Sequence, residues 1–498
     1  MGVKMDKPDK WSRTGTFILP SGKEIFGELR LKGANTALNL RDKDDLGLEV
    51  TPVQTVYGVL HDLTKVSLLE CITLQTSGSM RRGEKFHSAR IFPHFVLYGG
   101  SHFPNEYKTI THIDFAMDDA STLFYDFDAF GCVFDSRSLI DAIVEANKLG
   151  RKVETGEDAI VLYFAGRSEI LSVDTVLGRI SASHRPSVTT GGPAGVGLDN
   201  TIYLSVAFPG AISFDDAISR LCTLLRYFGM LIGRPQKLLK LTIVARAEGE
   251  VPAHFAVYWC MPPNRKRSKS WSDPHPADVL LPAVQRPGEF VAVLKEWLSR
   301  ESDWQMARVR LAESLAEQSS HNIDRLIRSA NMFDILPVSA VPINDELPEE
   351  LVTAKINCQK IFSILPPSSE RNSILSALGR IGKSNLKKKI RYRISLIAGL
   401  LGERFPELEL VTDEAVDCRN YFVHGGVARF KYAEDVSTTN FLTSTLEFVF
   451  AASDLYEAGW DVRAWAESGT TMSHPFGQYR VAYIEGLKRL KELLHGAL

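Results

Sequence analysis

One change of rhythm constrains this chain more than any other feature. Up to about residue 290 its apolar residues fall in short alternating or continuous runs bounded by turn residues; beyond that point they recur every three or four residues. The first spacing buries one face of a β-strand and the second buries one stripe of a helix, so the two stretches need different cores. The chain has 498 residues, and a single core rarely organises more than about 250–300. The fold class expected is α+β multidomain: a β-rich, sandwich-like domain over residues 1–290, then an all-α helical bundle over 291–498.

Candidate strands are Thr14–Gly22, Gly27–Leu31, Val66–Ile72, Ile91–Tyr98, Ile160–Phe164, Ile202–Phe208, Leu238–Val244 and His254–Cys260. Their spacing suits a sheet sandwich or a distorted barrel. One amphipathic helix interrupts them. Ser213 caps it with Asp216 three residues on, the stripe runs through Ile218, Leu221, Leu225, Phe228 and Ile232, and Gly233 stops it. Thr189–Asn200 is Gly-rich but lacks the Gly-Lys-Ser/Thr of a phosphate loop, which leaves a surface loop. Pro262–Pro276 carries Arg265, Lys266, Arg267 and Lys269 and reads as an exposed, solvated charge run near the domain boundary.

The second half predicts helices over Phe290–Leu298, Met306–Ala316, Asn322–Ile335, Glu349–Leu365, Ile374–Leu401, Thr412–His424, Asn440–Tyr456 and Tyr479–Leu494. Several function classes drop out on composition. With 58 Lys and Arg against 60 Asp and Glu the formal charge is −2, so the chain is no general coat for nucleic acid, and any RNA contact is local. The six cysteines stand without a CxxC pair, which argues for reduced, buried thiols rather than a zinc site or disulfides. The N-terminus has no apolar signal segment, Asp6 breaks a myristoylation pattern, and no uncharged run reaches the ~20 residues of a membrane helix. A cytoplasmic protein without a membrane partner is expected.

The chemistry points to Asp417–Gly425, DCRNYFVHG. An Arg followed by a His four to six residues later is a weak pattern, met also at Arg82…His87, Arg179…His184 and Arg489…His495. The copy at Arg419…His424 differs in three ways. Asn420 follows the Arg, the segment lies on an apolar-backed helix, and Gly425–Gly426 ends that helix at the His. Val411, Ala415, Cys418 and Phe422 form one stripe for the core, while Asp417, Asn420 and His424 form a polar one. On an ideal helix Arg419 and His424 diverge by roughly 140°. Either the helix distorts near its end, or two copies of it face each other in a dimer and share these groups; the dimer is the preferred reading. RNA brings its own nucleophile, the 2′-OH. His424 can move its proton near neutral pH, Arg419 can meet the phosphate charge with a fork of donors, and Asn420 can orient the ring or bond a phosphate oxygen. Neither metal nor cofactor is required. The bland alternative is a helix-terminal His favoured by the helix dipole beside a surface Arg.

These residues resemble the Arg-Asn-x-x-x-His core of HEPN ribonucleases. Asn322–Leu336 resembles an early helix of the ApeA-like HEPN domain, with Asp334 where that family often has an acidic residue. Gly15–Pro20, Gly27–Leu29, Val56–Leu60 and Val66–Cys71, in that order, resemble the start of the ApeA N-terminal domain. The resemblance implies a β-rich regulatory domain followed by a HEPN nuclease that acts in abortive-infection defence against phage. It implies catalytic roles for Arg419, Asn420 and His424, cleavage of RNA (tRNA by the habit of the family), a homodimer through the HEPN domain, and a phage-derived trigger sensed by the first domain. GGVARF after the motif matches no pattern that carries a substrate contact. Lys387, Lys388, Lys389, Arg391 and Arg393 form the most basic stretch of the helical half and are candidate phosphate-binding residues, the alternative being an ordinary solvated helix face. Beside the metal-independent endoribonuclease stands a second reading, a HEPN module that binds RNA or protein without cutting.

Overall fold

The computed structural model describes residues 11–48, 54–81, 84–105, 107–148, 153–190, 192–246, 251–263, 273–317, 320–341, 347–382, 385–425 and 427–496. Arg82, Gly426 and the basic run Arg265, Lys266, Arg267 and Lys269 lie outside them. The chain divides into two compact units, Met1–Leu298 and Ser299–Leu498.

The first unit is built on strands β1 (Trp11–Ile18), β2 (Glu24–Leu31), β3 (Ala37–Asp42), β4 (Gln54–Leu60), β5 (Lys65–Arg81), β6 (Glu84–Gly99), β7 (Ile110–Met117), β8 (Phe130–Val133), β9 (Val161–Phe164), β10 (Glu169–Thr175), β11 (Gly178–Thr190), β12 (Val196–Ile212), β13 (Leu238–Ala245) and β14 (Ala253–Trp259). All but β8 and β9 join one antiparallel sheet in the order β10-β11-β12-β7-β13-β14-β6-β3-β2-β1-β4-β5, and β5 pairs back onto β6. That last pairing closes β1, β2, β3, β6, β5 and β4 into a six-stranded ring. Of the sandwich and the distorted barrel, the barrel is therefore what this half forms, with an open sheet continuing from it.

Side-chain size explains how so small a barrel closes. The fully buried ring of Phe17 takes the space that a Cβ at Gly58 would occupy, and Leu40 takes most of that at Gly27. Leu29, Leu38, Leu40, Val56, Val66 and Ile91 fill the rest of the core. Strand β6 serves both parts of the sheet. Its residues 87–91 pair with β3 and its residues 95–98 with β14, and Pro93, which has no N–H to donate, stands between the two.

Helices α1 (Ala120–Leu123), α2 (Arg137–Ala146), α3 (Phe214–Ile232) and α4 (Pro287–Ser299) complete this unit. The sequence signals of α3 act as expected. Ser213 Oγ accepts from the Asp216 N–H at 3.2 Å, and Gly233 ends the helix with φ 86°.

The second unit is helical: α5 (Glu301–Glu317), α6 (Ile323–Asp334), α7 (Glu349–Ile364), α8 (Ser369–Arg380), α9 (Leu386–Ser395), α10 (Ala398–Leu401), α11 (Leu408–His424), α12 (Val436–Glu457), α13 (Val462–Glu467) and α14 (Pro475–Gly496). Helix α12 is the centre, packed by α5, α6, α9, α11 and α14. The expected continuous helix over Ile374–Leu401 is in fact three. Gly382 turns left-handed with φ 86° after α8, and Asn385 accepts from the Lys388 N–H to cap a new start.

Two buried ion clusters fix the bundle. Arg325 clasps Glu447 with two bonds of 2.8 Å. Arg308 clasps Asp454 with two of 2.9 Å, and Arg300, Arg308 and Arg393 surround the Trp304 ring. No helix among the described residues is long and apolar enough to cross a membrane. None of the six cysteines forms a disulfide; Cys71, Cys260 and Cys418 are buried, but Cys132 is exposed, against expectation.

Candidate active site

Helix α11 presents its last turn to solvent. Val411, Ala415 and Cys418 are buried as the apolar stripe requires, and burial pushes the Cys418 thiol up to about 12. Phe422, the fourth member of the stripe, is half-buried. Gly425 closes the helix with φ 68°, its N–H donating to the Tyr421 carbonyl at 3.0 Å. The left-handed cap lets the chain leave immediately after His424, whose ring is exposed.

The structure unites Arg419, Asn420 and His424 within one chain. Arg419 Nη1 donates to Asn420 Oδ1 at 3.0 Å and reaches His424 Nε2 at 3.2 Å. Helix α11 stays helical through His424. The divergence of about 140° between backbone positions on an ideal helix is spanned by the length of the arginine side chain. The geometric reason for preferring a shared, two-chain site is thereby corrected.

The second arm of the guanidinium belongs to α6. Arg419 Nη2 donates to Asn331 Oδ1 at 3.0 Å and lies 4.0 Å from Asp334 Oδ2. Its side chain is only 15% exposed, and its Nε has no hydrogen-bond partner among the described residues. The guanidinium is thus held from both helices, with its edge toward His424. Asn331, which the sequence did not single out, is the residue that fixes the far side of the fork. When neutral His424 accepts at Nε2, its proton sits on Nδ1.

A second layer braces α11. Glu414 is buried and accepts from the Tyr432 hydroxyl. Burial raises the Glu414 carboxyl above the ordinary range, against the pull of Tyr432 and Arg429. Burial and the Glu414 contact together push the Tyr432 phenol well up. Arg429 pairs with Glu414 and Asp417, each at 3.2 Å, so the segment after the motif folds back onto the helix.

The basic stretch behaves differently from a phosphate grip. Helix α9 packs on α11, and its cations face the acidic residues there. Lys387 pairs with Asp417 at 2.6 Å and Arg391 with Asp413. Lys389 donates to the Asp334 backbone carbonyl at 2.8 Å. Arg393 is 1% exposed and bonded to Glu457 and Ser453, so it is removed from any external phosphate; burial lowers its pKa despite Glu457. Lys388 is exposed, and its N–H serves the Asn385 cap. Of the other Arg…His spacings, the two that lie within the described residues make no such site. Arg179 pairs with Asp174 while His184 is buried, and Arg489 pairs with Asp435.

A sheet domain joined to a helical bundle that offers Arg, Asn and His at one exposed helix end defines a two-domain HEPN protein. The family described as ApeA N-terminal domain 1 matches residues 12–297, and the one described as Apea-like HEPN matches residues 327–463. The first match alone covers more than half of the chain, and the chain belongs to the ApeA family, among the HEPN proteins of antiviral defence. No curated protein and no solved structure matches it.

Proposed function

We propose that this chain is a metal-independent endoribonuclease of anti-phage defence that cuts RNA at the α11 end. One observation supports the reading above the rest: Arg419 Nη1 stands 3.2 Å from His424 Nε2 on an exposed helix end, with its far side held by Asn331. A phosphate entering between them would take over the Nη1 donor. His424 Nε2 is then free to accept the proton of the 2′-OH as that oxygen attacks phosphorus. The P–O5′ bond breaks, and the leaving oxygen takes a proton from the imidazolium or from water. Arg419 meets the charge that builds on the phosphoryl oxygens, and Asn420 holds the arginine that does so. The products are a 2′,3′-cyclic phosphate and a 5′-hydroxyl.

The wider proposal is a cytoplasmic enzyme, silent until a phage-derived trigger acts on the first unit. Growth then stops through RNA cleavage, with tRNA the foremost substrate. Two HEPN domains pair in this proposal, each copy bringing its own complete Arg419–Asn420–His424 set. The test is RNA incubated in EDTA with wild type and with His424→Ala, after circular dichroism shows both folded. Loss of about 10²–10⁴-fold is expected. Full activity in the variant, or activity that EDTA abolishes and a divalent metal restores, overturns the reading. RNA binding without cleavage by either protein favours the binding module.

A further inference from the structure

The barrel of the first unit carries a second charged feature, unrelated to α11. Strand β2 alternates strictly, with Leu29 and Leu31 buried and Arg30 exposed, so Arg30 and the following Lys32 point outward. On β3 the residues of the same face are Ala37, which is itself buried, Asn39 and the exposed Arg41. Arg30 stands opposite Ala37, and Asn39 stands opposite Arg90 of β6. Together with Lys32 and Asn35 these four side chains line a cavity of about 380 Å³ on the outer face of β2, β3 and β6. The small Ala37 leaves the floor open between the two arginines.

The turn that supplies Lys32 and Asn35 is fixed before any ligand arrives. Gly33 adopts φ 58° and donates its N–H to the Tyr258 hydroxyl at 2.7 Å. The Lys32 N–H donates to the buried Thr36 hydroxyl at 3.0 Å, and the Asn35 N–H to the Lys32 carbonyl at 3.1 Å.

Among the described residues the side chains of Arg30, Lys32 and Arg90 make no ion pair. Glu28, two residues before Arg30 on the same face, accepts instead from the Ser12 hydroxyl. Arg30 and Lys32, two residues apart on one face, and Arg90 across β3 repel one another, and in a chain of net charge −2 they were not forced together by composition. An anion that enters the cavity removes the repulsion and finds guanidinium forks, an ammonium and two amides converging on it. With strands about 4.8 Å apart and a two-residue offset along them, Arg30 and Arg90 are separated by roughly 12 Å, and Lys32 lies about 7 Å along the strand from Arg30 on the side away from Arg90. One phosphate cannot meet all three.

We propose that this cavity binds a ligand carrying two or more linked phosphate groups. The same chemistry is offered by a compact oligophosphate, as on a nucleotide, and by successive phosphates of a nucleic-acid strand. Two probes separate the sources: inorganic pyrophosphate, followed by calorimetry, and fluorescein-labelled hexathymidylate, followed by anisotropy. Hexathymidylate has no 2′-OH, so its binding does not depend on the nuclease reading. The full-length chain carries Arg419→Ala throughout, which removes the α11 arginine from the measurement.

At low salt at least one probe binds. Arg30→Ala and Arg90→Ala each weaken it roughly tenfold, the scale of one charge-assisted hydrogen-bonded contact. For the strand, log affinity falls against log salt with a slope of about −2 for three contacts, and each lost cation reduces it by about 0.7. Arg179→Ala, at an exposed arginine already paired with Asp174, changes neither. Thermal unfolding checks that the outward-facing variants keep the fold. Failure of both probes to bind, or binding by the Arg30→Ala and Arg90→Ala proteins as tight as that of the parent protein, overturns the proposal.

Discussion

Replacing Asn331 by Ala isolates the part of the site that lies off the motif helix. Its side chain gives Arg419 Nη2 an acceptor at 3.0 Å. Asp334, the other α6 group, stands at 4.0 Å with its side chain 42% exposed. A hydrogen bond to a charged group contributes about 1.5–3 kcal/mol, and the half-buried position of Asn331 argues for the lower figure. If all of that orients Arg419 in the transition state, Asn331→Ala slows cleavage about tenfold. The Asp334 pair is of the exposed kind, worth about 0–1 kcal/mol, so Asp334→Ala costs less than about fivefold. Asn331→Asp keeps an acceptor and is expected to recover most of the rate. The assay is single-turnover cleavage of an RNA oligonucleotide, with circular dichroism of each variant and a pH profile. A change in kcat at constant KM, with the profile keeping its shape, fits a positioning role. A folded Asn331→Ala protein at full rate, or a larger loss in Asp334→Ala, would refute the reasoning.

Four further outcomes follow from the packing. Asp454 is fully buried and doubly bonded to Arg308; Asp454→Ala leaves that buried arginine without its two-bond partner, though still bonded to Glu301, and should cost about 3–5 kcal/mol, read by calorimetry as a melting point lowered by roughly 2–4 °C per kcal/mol, whereas a loss under about 1 kcal/mol would contradict the assignment. Burial raises the Asp454 carboxyl, but Arg308, Arg300 and Arg393 outweigh it and hold it below the ordinary range; its contribution is therefore present above the unfolded carboxyl value of about 3.9 and is lost as pH falls through the folded value, so the gap between wild type and Asp454→Asn should close in acid. Gly425→Ala meets no neighbour but must hold φ 68°; a destabilisation of about 1 kcal/mol is expected in chemical unfolding, and none would show that the cap is not left-handed. Lys387→Ala and Arg391→Ala should leave RNA affinity within about twofold, because Asp417 and Asp413 already hold them in pairs of little net worth; a tenfold loss in a filter-binding assay would return them to the substrate.

Where a local signal was complete, the sequence could be read. Helix α3 has its cap in Ser213 and its stop in Gly233, and α11 ends at Gly425. The polar end of α11, with Arg419, Asn420 and His424, was legible as a candidate for the same reason. What escaped was non-local. Strand β3 is six residues long and is held by pairings such as Leu38 with Ile91. Strand β4 has Gly58 in its middle, which only the ring of Phe17 explains. Asn331 is 88 positions from the arginine it holds. The divergence assigned to Arg419 and His424 treated side chains as directions and ignored their reach. For the basic helix there was a usable sign: Lys387 and Arg391 are four apart, as are Asp413 and Asp417, so two antiparallel helices can pair them rung by rung.

The chemistry of the cut ends tests the central claim most directly. RNA cleaved by the wild-type chain in EDTA should be sequenced after separate treatments that expose each kind of terminus. The account predicts 3′ ends that resist ligation until a cyclic phosphate is opened and removed, and 5′ ends that accept a phosphate from polynucleotide kinase without prior treatment. Both should vanish with His424→Ala. Products bearing a 3′-hydroxyl and a 5′-phosphate would show that water, not the 2′-OH, attacks the phosphate, and would contradict the roles of Arg419 and His424 in this mechanism.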